Sequence, residues 1–150
     1  MKIGFTGTQE GMTGEQCSVL ASILLQELRK DWSNEFHHGC CIGADWQAHR
    51  IVRSLFITFR ELRGWENNII IHPPKDESRK ADIIDNFGII FKEPKPYLQR
   101  NKDIVDETDL LIACPNTKKE VLRSGTWSTV RYARKRKKEV LIIYPDGKCG

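Results

Sequence analysis

Three short runs in this chain are apolar throughout: Ile69–Ile71, Leu110–Cys114 and Val140–Ile143. A strand with one face in water alternates apolar and polar side chains, so uninterrupted runs of this length read as strands buried on both faces. "NNIIIHPP" is such a strand, halted by Pro73 and Pro74, and "LLIACP" and "EVLIIYP" are two more. Earlier in the chain, "KIGFTGT" reads as a strand over Lys2 to Thr6 ending in a glycine turn, and "NEFHHG" as a second strand. Helical spacing fills the gaps. From Gly14 to Trp32, Cys17, Leu20, Ala21, Leu24, Leu25 and Leu28 share a face, and Thr13 with Gln16 forms a capping-box pattern at the start. From Cys41, Ala44, Ala48, Ile51, Val52 and Leu55 recur at three and four, with Gly64 as the stop. "YLQRNKDIVDETD" reads as a short helix and "GTWSTVRYARKRKK" as the last one. The stretch from Lys75 to Pro96 is the least periodic and reads as a long loop with one short strand. Strands alternating with helices require a mainly parallel sheet covered on both sides, an α/β domain of three layers.

With 150 residues, 39% hydrophobic and 29% charged, the chain fits one domain with its own core, residues 1–150. That balance excludes a disordered tail, and no apolar run is long enough to span a bilayer. "MKIGFTGTQEG" lacks the apolar segment of a signal peptide, and the five cysteines (Cys17, Cys40, Cys41, Cys114, Cys149) follow no disulfide framework. A cytoplasmic setting is the expectation. No metal is expected, because there is no C-x-x-C pair and only Cys40, Cys41, His37 and His38 cluster in sequence. Cys40 and Cys41 read as nucleophiles if a neighbouring charge lowers their pKa, and otherwise as small packing residues.

In a sheet of this kind, ligands settle outside the carboxyl ends of the strands. Small and polar residues follow each strand: Gly7-Thr8-Gln9, Gly39 to Asp45 including Gly43 and Ala44, His72, Pro115, and Pro145-Asp146-Gly147. Glycines there permit close approach to backbone N–H groups, although plain turn chemistry asks for the same residues. Neither glycine loop has the spacing of the dinucleotide fingerprint or of a Walker loop. Asp45 reads as a ribose ligand or a helix cap, with His49 one turn later. His72 reads as a ligand contact or a strand terminator. His37 and His38 alternate faces, so at most one is expected to point toward the core. Arg100 offers a bidentate anion contact and Asn101 a donor and an acceptor, unless Arg100 pairs with Asp103 or Glu107 on the surface. Ser124, Gly125 and Thr126 open the last helix, either as an ordinary N-cap or as exposed amides for an anion. The basic run from Arg131 to Lys138 is a phosphate patch or the solvated end of a helix.

Taken in order, "TGT", "HGCCIGADWQAH", "QRNKDIVDETDLLIACP" and "RSGTWSTVRYARK" resemble the SLOG superfamily. This Rossmann-like group joins the DNA-processing recombination mediators with the Lonely Guy phosphoribohydrolases. The resemblance runs from Lys2 to Gly147, with Asp76 to Pro96 outside it. "HGCCIGADWQAH" matches the mediators' S-G-G-A-x-G-[IA]-D-x-x-A-H at Gly39, Gly43, Asp45, Ala48 and His49, with His38, Cys40 and Cys41 substituted. Arg100-Asn101 matches their R-N pair and "SGTWST" their S-G-[ST]-x-x-T run, while Gln9 stands where they carry arginine. Gly125 and Thr126 match the phosphoribohydrolases' G-T, but Thr129 stands at the position of their glutamate. Cleaving an N-glycosidic bond needs a carboxylate, which Asp45 or Glu120 would then have to supply.

The resemblance implies a three-layer Rossmann-like fold that binds a nucleotide-derived small molecule, such as an ADP-ribose-like or cyclic nucleotide signal. Gly125 and Thr126 would dock a phosphate, Arg100 and Arg123 would supply charge, and Trp127 would stack on a base or fill the groove beside the helix. A nucleoside-monophosphate N-glycosidase and a single-stranded DNA binder are the alternatives. The resemblance also implies a homo-oligomer, through a helix face such as that carrying Phe56 and Phe59, and a role in antiviral defence or its inhibition. No cofactor is implied.

Overall fold

A computed structural model describes residues 1–30, 34–59, 69–83 and 89–150. Six strands, β1 (Lys2–Gly7), β2 (Glu35–His38), β3 (Ile69–Ile71), β4 (Ile89–Phe91), β5 (Leu110–Cys114) and β6 (Glu139–Ile142), form one sheet in the order β4-β3-β2-β1-β5-β6. Every neighbouring pair is parallel. Helices α1 (Gly14–Lys30) and α2 (Ala44–Thr58) cover one face, and α3 (Tyr97–Asp106) and α4 (Gly125–Lys135) the other. The end of the first helix at Trp32 lies outside the described residues, whereas α2 ends well before the expected stop at Gly64: Phe59, its C-cap, is already extended (φ −108°, ψ 103°).

The pleat explains how the apolar runs serve both layers. In β5, Leu110, Ile112 and Cys114 join the core under α1 and α2, while Leu111 and Ala113 join the smaller one under α4. In β1, Ile3 and Phe5 enter the first core, and Gly4 presents bare backbone to α3. A Cβ on Gly4 would lie 2.7 Å from Thr108 Oγ1, so the missing side chain sets how closely that helix packs. Coverage on both faces also corrects the expectation for the paired histidines. His37 and His38 are both buried, one beneath each helical layer.

Phe56 is buried in the core and Phe59 packs against it under the Arg29 guanidinium, which removes the exposed face proposed for association; Ile57 is the exposed apolar residue of that helix. The segment read as a long loop with one short strand carries that strand as β4, at the sheet edge with Ile90 and Phe91 exposed, together with a 3-10 turn at Glu77–Arg79. An edge strand of three residues carries too little periodicity for its bounds to be read from the sequence.

The capping box at α1 is formed as its spacing requires. Gln16 N–H donates to Thr13 Oγ1 (3.1 Å) and Thr13 N–H to Gln16 Oε1 (3.0 Å). The buried Gln16 amide also donates at 2.8 Å to the carbonyls of Pro115 and Ile143, tying α1 to the ends of β5 and β6. Gln16→Ala breaks the cap and leaves two carbonyls unpaired, so chemical denaturation should show a loss of about 2–4 kcal/mol. A loss below about 1 kcal/mol would mean that water replaces the amide without penalty.

Candidate functional site

The strand order reverses at β1, whose neighbours are β2 on one side and β5 on the other. Helices leaving these two strands depart to opposite faces, and the crevice between them is where open α/β sheets bind ligands. A cleft of about 520 Å³ occupies that position. Gly7, Thr8 and Gln9 after β1 form one wall, and Asn116, Thr117, Val121 and Arg123 after β5 form another. The first turn of α4, Ser124 to Thr126, closes a third side, with Tyr97 and Arg79 completing the lining.

At the start of α4, Ser124 acts as N-cap, its Oγ accepting the Trp127 N–H at 3.2 Å. The N–H groups of Gly125 and Thr126 have no hydrogen-bond partner among the described residues, so the helix's positive end faces the cleft. Gly125 is required, but by a neighbour within the chain. A Cβ there would come within 1.6 Å of the Tyr97 hydroxyl, so the absent side chain makes room for that phenol. Trp127 is buried and its Nε1–H donates to Thr117 Oγ1 at 2.9 Å. It fills the groove between helix and loop, the second of the two roles its position allowed.

Beneath the cleft, Arg100 is buried where the β2–α2 loop meets α3. Its Nη1 lies 3.6 Å from Asp45 Oδ2 and its Nη2 3.2 Å from Cys41 Sγ, while its Nε has no partner among the described residues. Asp45 Oδ2 also accepts the Cys41 N–H at 3.1 Å. Burial pushes the Asp45 carboxyl above its usual range, against the opposing pull of Arg100. Burial also raises the Cys41 thiol, and lifts Cys40 to about 11, so both sulfurs stay protonated packing groups at neutral pH. A Cβ on Gly39 would fall 1.3 Å from Arg100 Nη1, so that glycine is a notch for the guanidinium. Asp45, Arg100 and Asn101 share with Tyr97 a small void of about 20 Å³, room for one water.

The other residues singled out from the sequence sit elsewhere. Gly43 (φ 94°) packs on the Gln9 backbone, and the Ala44 N–H donates to Thr8 O at 3.0 Å, so this loop is joined to its neighbour and not open to the cleft. The Pro115 carbonyl is taken by Gln16. His72 is buried against His37, under α3. Conversely, Tyr97 and Arg79 reach the cleft without having been singled out. Tyr97 opens α3 one turn before Arg100, and the Arg79 and Arg100 guanidinium carbons lie 5.5 and 5.2 Å from its ring centre. Arg79 comes from the least periodic stretch. The bonds Ile42 N–H to Arg79 O (3.0 Å) and Ala81 N–H to Cys40 O (2.7 Å) hold that segment to the β2–α2 loop.

Among the described residues, no carboxylate lines the cleft. Thr129 is buried with its hydroxyl donating to Gly125 O at 2.8 Å, and Glu120 lies 3.5 Å from both Arg131 and Arg134. Much of the basic run is committed as well. Arg131 donates to Leu122 O, Arg136 pairs with Asp106, and Lys138 donates to Thr108 O at 2.8 Å. These contacts fasten the C-terminal end of α4 to its surroundings.

Neither a protein-family model nor a curated protein matches the sequence. Among solved structures, the chain is similar to the molybdenum cofactor binding protein from the phototrophic bacterium Rippkaea orientalis, with 22% identity and a TM-score of 0.64 over 95% of this chain and 76% of that one. It is also similar to the structural-genomics target TM1055, with 15% identity and a TM-score of 0.56 over 93% and 71%. The fold is the three-layer Rossmann-like α/β type that the SLOG resemblance implies.

Proposed function

We propose that the cleft at the β1–β5 switch binds an anionic, nucleotide-derived small molecule and releases it unchanged. One observation carries this reading: among the described residues, the N–H groups of Gly125 and Thr126 are unpartnered and face a cleft whose lining includes two arginines and no carboxylate. Amides at a helix start hold a phosphate without further machinery, and the Arg79 and Arg123 guanidiniums offer paired donors to its oxygens. The molybdenum cofactor binding protein among its neighbours supports a small-molecule cargo for this fold. An N-glycosidase would need an acid beside the sugar; Thr129 supplies none, Glu120 is held by Arg131 and Arg134, and Asp45 is buried against Arg100 beneath the cleft, which favours binding over cleavage. Single-stranded DNA is disfavoured because the basic helix spends much of its charge on the chain's own groups. No helix among the described residues is long and apolar enough to cross a membrane, in keeping with a cytoplasmic ligand-binding domain, and self-association through surfaces other than Phe56 belongs to the same proposal.

Denaturing the purified protein and identifying the released molecule by mass spectrometry should yield a phosphate-bearing nucleotide derivative. A thermal-shift panel of ADP-ribose, cyclic nucleotides and molybdenum cofactor should then show stabilisation by that class alone. A protein that carries nothing and responds to no member of the panel would refute the reading.

Arg79→Ala and Arg123→Ala should each weaken binding roughly 10-fold, since one charge-assisted bond is worth about 1.5–3 kcal/mol, while leaving the unfolding midpoint of the unliganded protein unchanged. Undiminished affinity in the double variant would move the site elsewhere. Arg100→Ala should behave differently. It strands Asp45 as a buried unpaired carboxyl and should cost about 3–5 kcal/mol of stability, so its loss of binding would report on folding. Equal denaturation curves for Arg100→Ala and wild type would remove Arg100 from its structural role.

A further inference from the structure

His72, singled out as a ligand contact but absent from the cleft, belongs to a second cluster under α3. We propose that His37, His72 and Glu107 form a binding site for a divalent transition-metal ion of the zinc class, with a fourth position left for water or a small ligand. Three donor atoms converge there from three separate elements: His37 from β2, His72 just past the end of β3, and Glu107 at the C-cap of α3. His37 Nδ1 and His72 Nε2 are 2.9 Å apart, His72 Nε2 and Glu107 Oε2 3.3 Å, and His37 Nδ1 and Glu107 Oε2 3.7 Å.

These separations match a tetrahedral site. Metal–ligand bonds of about 2.0–2.2 Å place tetrahedral donors about 3.3–3.6 Å apart, and the three observed spacings straddle that range. Two imidazoles and one carboxylate also form a donor set that zinc takes with an open fourth position.

The surroundings prepare the ligands. His37 Nε2 lies 2.8 Å from the Glu35 carboxylate, which accepts its N–H and leaves Nδ1 as the lone-pair atom aimed at the cluster. That is the carboxylate–histidine–metal arrangement that orients a ligating ring. Without an ion His72 Nε2–H donates to His37 Nδ1 at 2.9 Å; binding a metal would displace that proton, with His72 taking the Nδ1–H tautomer so that its Nε2 lone pair turns inward. Both rings are buried while Glu107 is partly exposed, so the ion enters from the Glu107 side and is held by groups the fold has already ordered. Burial keeps both histidines neutral, with His72 down to about 3 and His37 lowered despite Glu35 and Glu107. Lys2, Lys92, Asp103 and Arg100 are the other charges that act on the two rings. The Glu107 and Glu35 carboxylates together balance a dication. Outside the metal-bound state, the same geometry is served by one proton shared between the rings, and this is the rival the experiment must separate.

The full chain, stripped with a chelator and dialysed, is titrated with Zn2+ by calorimetry and with Co2+ by visible absorption. One ion per chain should bind, and Co2+ should show the intense d–d bands of four-coordination by nitrogen and oxygen. His72→Gln and Glu107→Gln should each lower the affinity at least 10-fold, and Glu35→Gln, acting through His37, about 10-fold to 100-fold. Glu107 is partly exposed, so its substitution keeps the test valid if His72→Gln fails to fold. Absence of saturable binding would overturn the site. So would binding that survives Glu107→Gln, or a Co2+ spectrum with thiolate charge-transfer bands, which would place the metal at the cysteines. Nucleotide binding at the cleft shares none of these three ligands, so failure here leaves that reading standing.

Discussion

The buried contact between Arg100 and Asp45 is the joint on which the rest of the site depends. A guanidinium placed in a protein interior must be matched by charge and hydrogen bonds or it destabilises the fold. Here the match comes from the β2–α2 loop, which supplies the Asp45 carboxylate, the Cys41 sulfur and the empty space above Gly39. The contact thereby joins α3 to the opposite helical layer through the end of the sheet. It also fixes Tyr97, one turn earlier on α3 and 5.2 Å from the guanidinium, and Tyr97 in turn stands over Gly125. A chain of packed side chains thus runs from the start of α2 to the start of α4, and each link demands a particular small residue beside a large one.

That chain explains what could be read from the sequence and what could not. The strand and helix order was legible because the core runs are apolar without alternation and the helices repeat at three and four. The need for small residues at Gly39, Gly43 and Gly125 was equally legible. What fills the space beside each glycine was not, because a missing Cβ reads the same whether a ligand or a neighbouring side chain approaches. At Gly39 the occupant is Arg100, at Gly43 the Gln9 backbone, and at Gly125 the Tyr97 hydroxyl. Trp127 poses the same ambiguity, since indole filling a groove and indole stacking on a base leave identical letters.

The remaining misreadings come from tertiary placement. Alternation along β2 correctly put His37 and His38 on opposite faces, yet a sheet covered on both sides buries both. Arg79 reaches the cleft because residues 79–81 bond to residues 40–42, a pairing across about 40 positions that no local period announces. The one short strand expected between Lys75 and Pro96 is β4, whose position at the edge, half exposed, left only its bounds unread.

Electrostatics tie these placements to the character of the cleft. The chain carries a formal net charge of only +4, so its sign at any one place is decided by where carboxylates are committed. Around the cleft they are committed systematically. Asp45 faces Arg100, Glu10 accepts from Asn116 at 3.0 Å, Asp76 accepts from Ser78 and lies 3.4 Å from Arg79 Nε, and Glu120 is held between Arg131 and Arg134. Arg123 has no such partner among the described residues, and the helix start beside it adds partial positive charge of its own. A low-dielectric wall behind these donors strengthens their pull on an incoming charge relative to open solvent. An anion entering this cleft would therefore meet Arg123 without a competing carboxylate, and would share Arg79 with Asp76. Among the described residues a cation would meet no acidic side chain in the lining, and the proposed metal site lies at the C-terminal end of α3, where Glu35 and Glu107 are gathered.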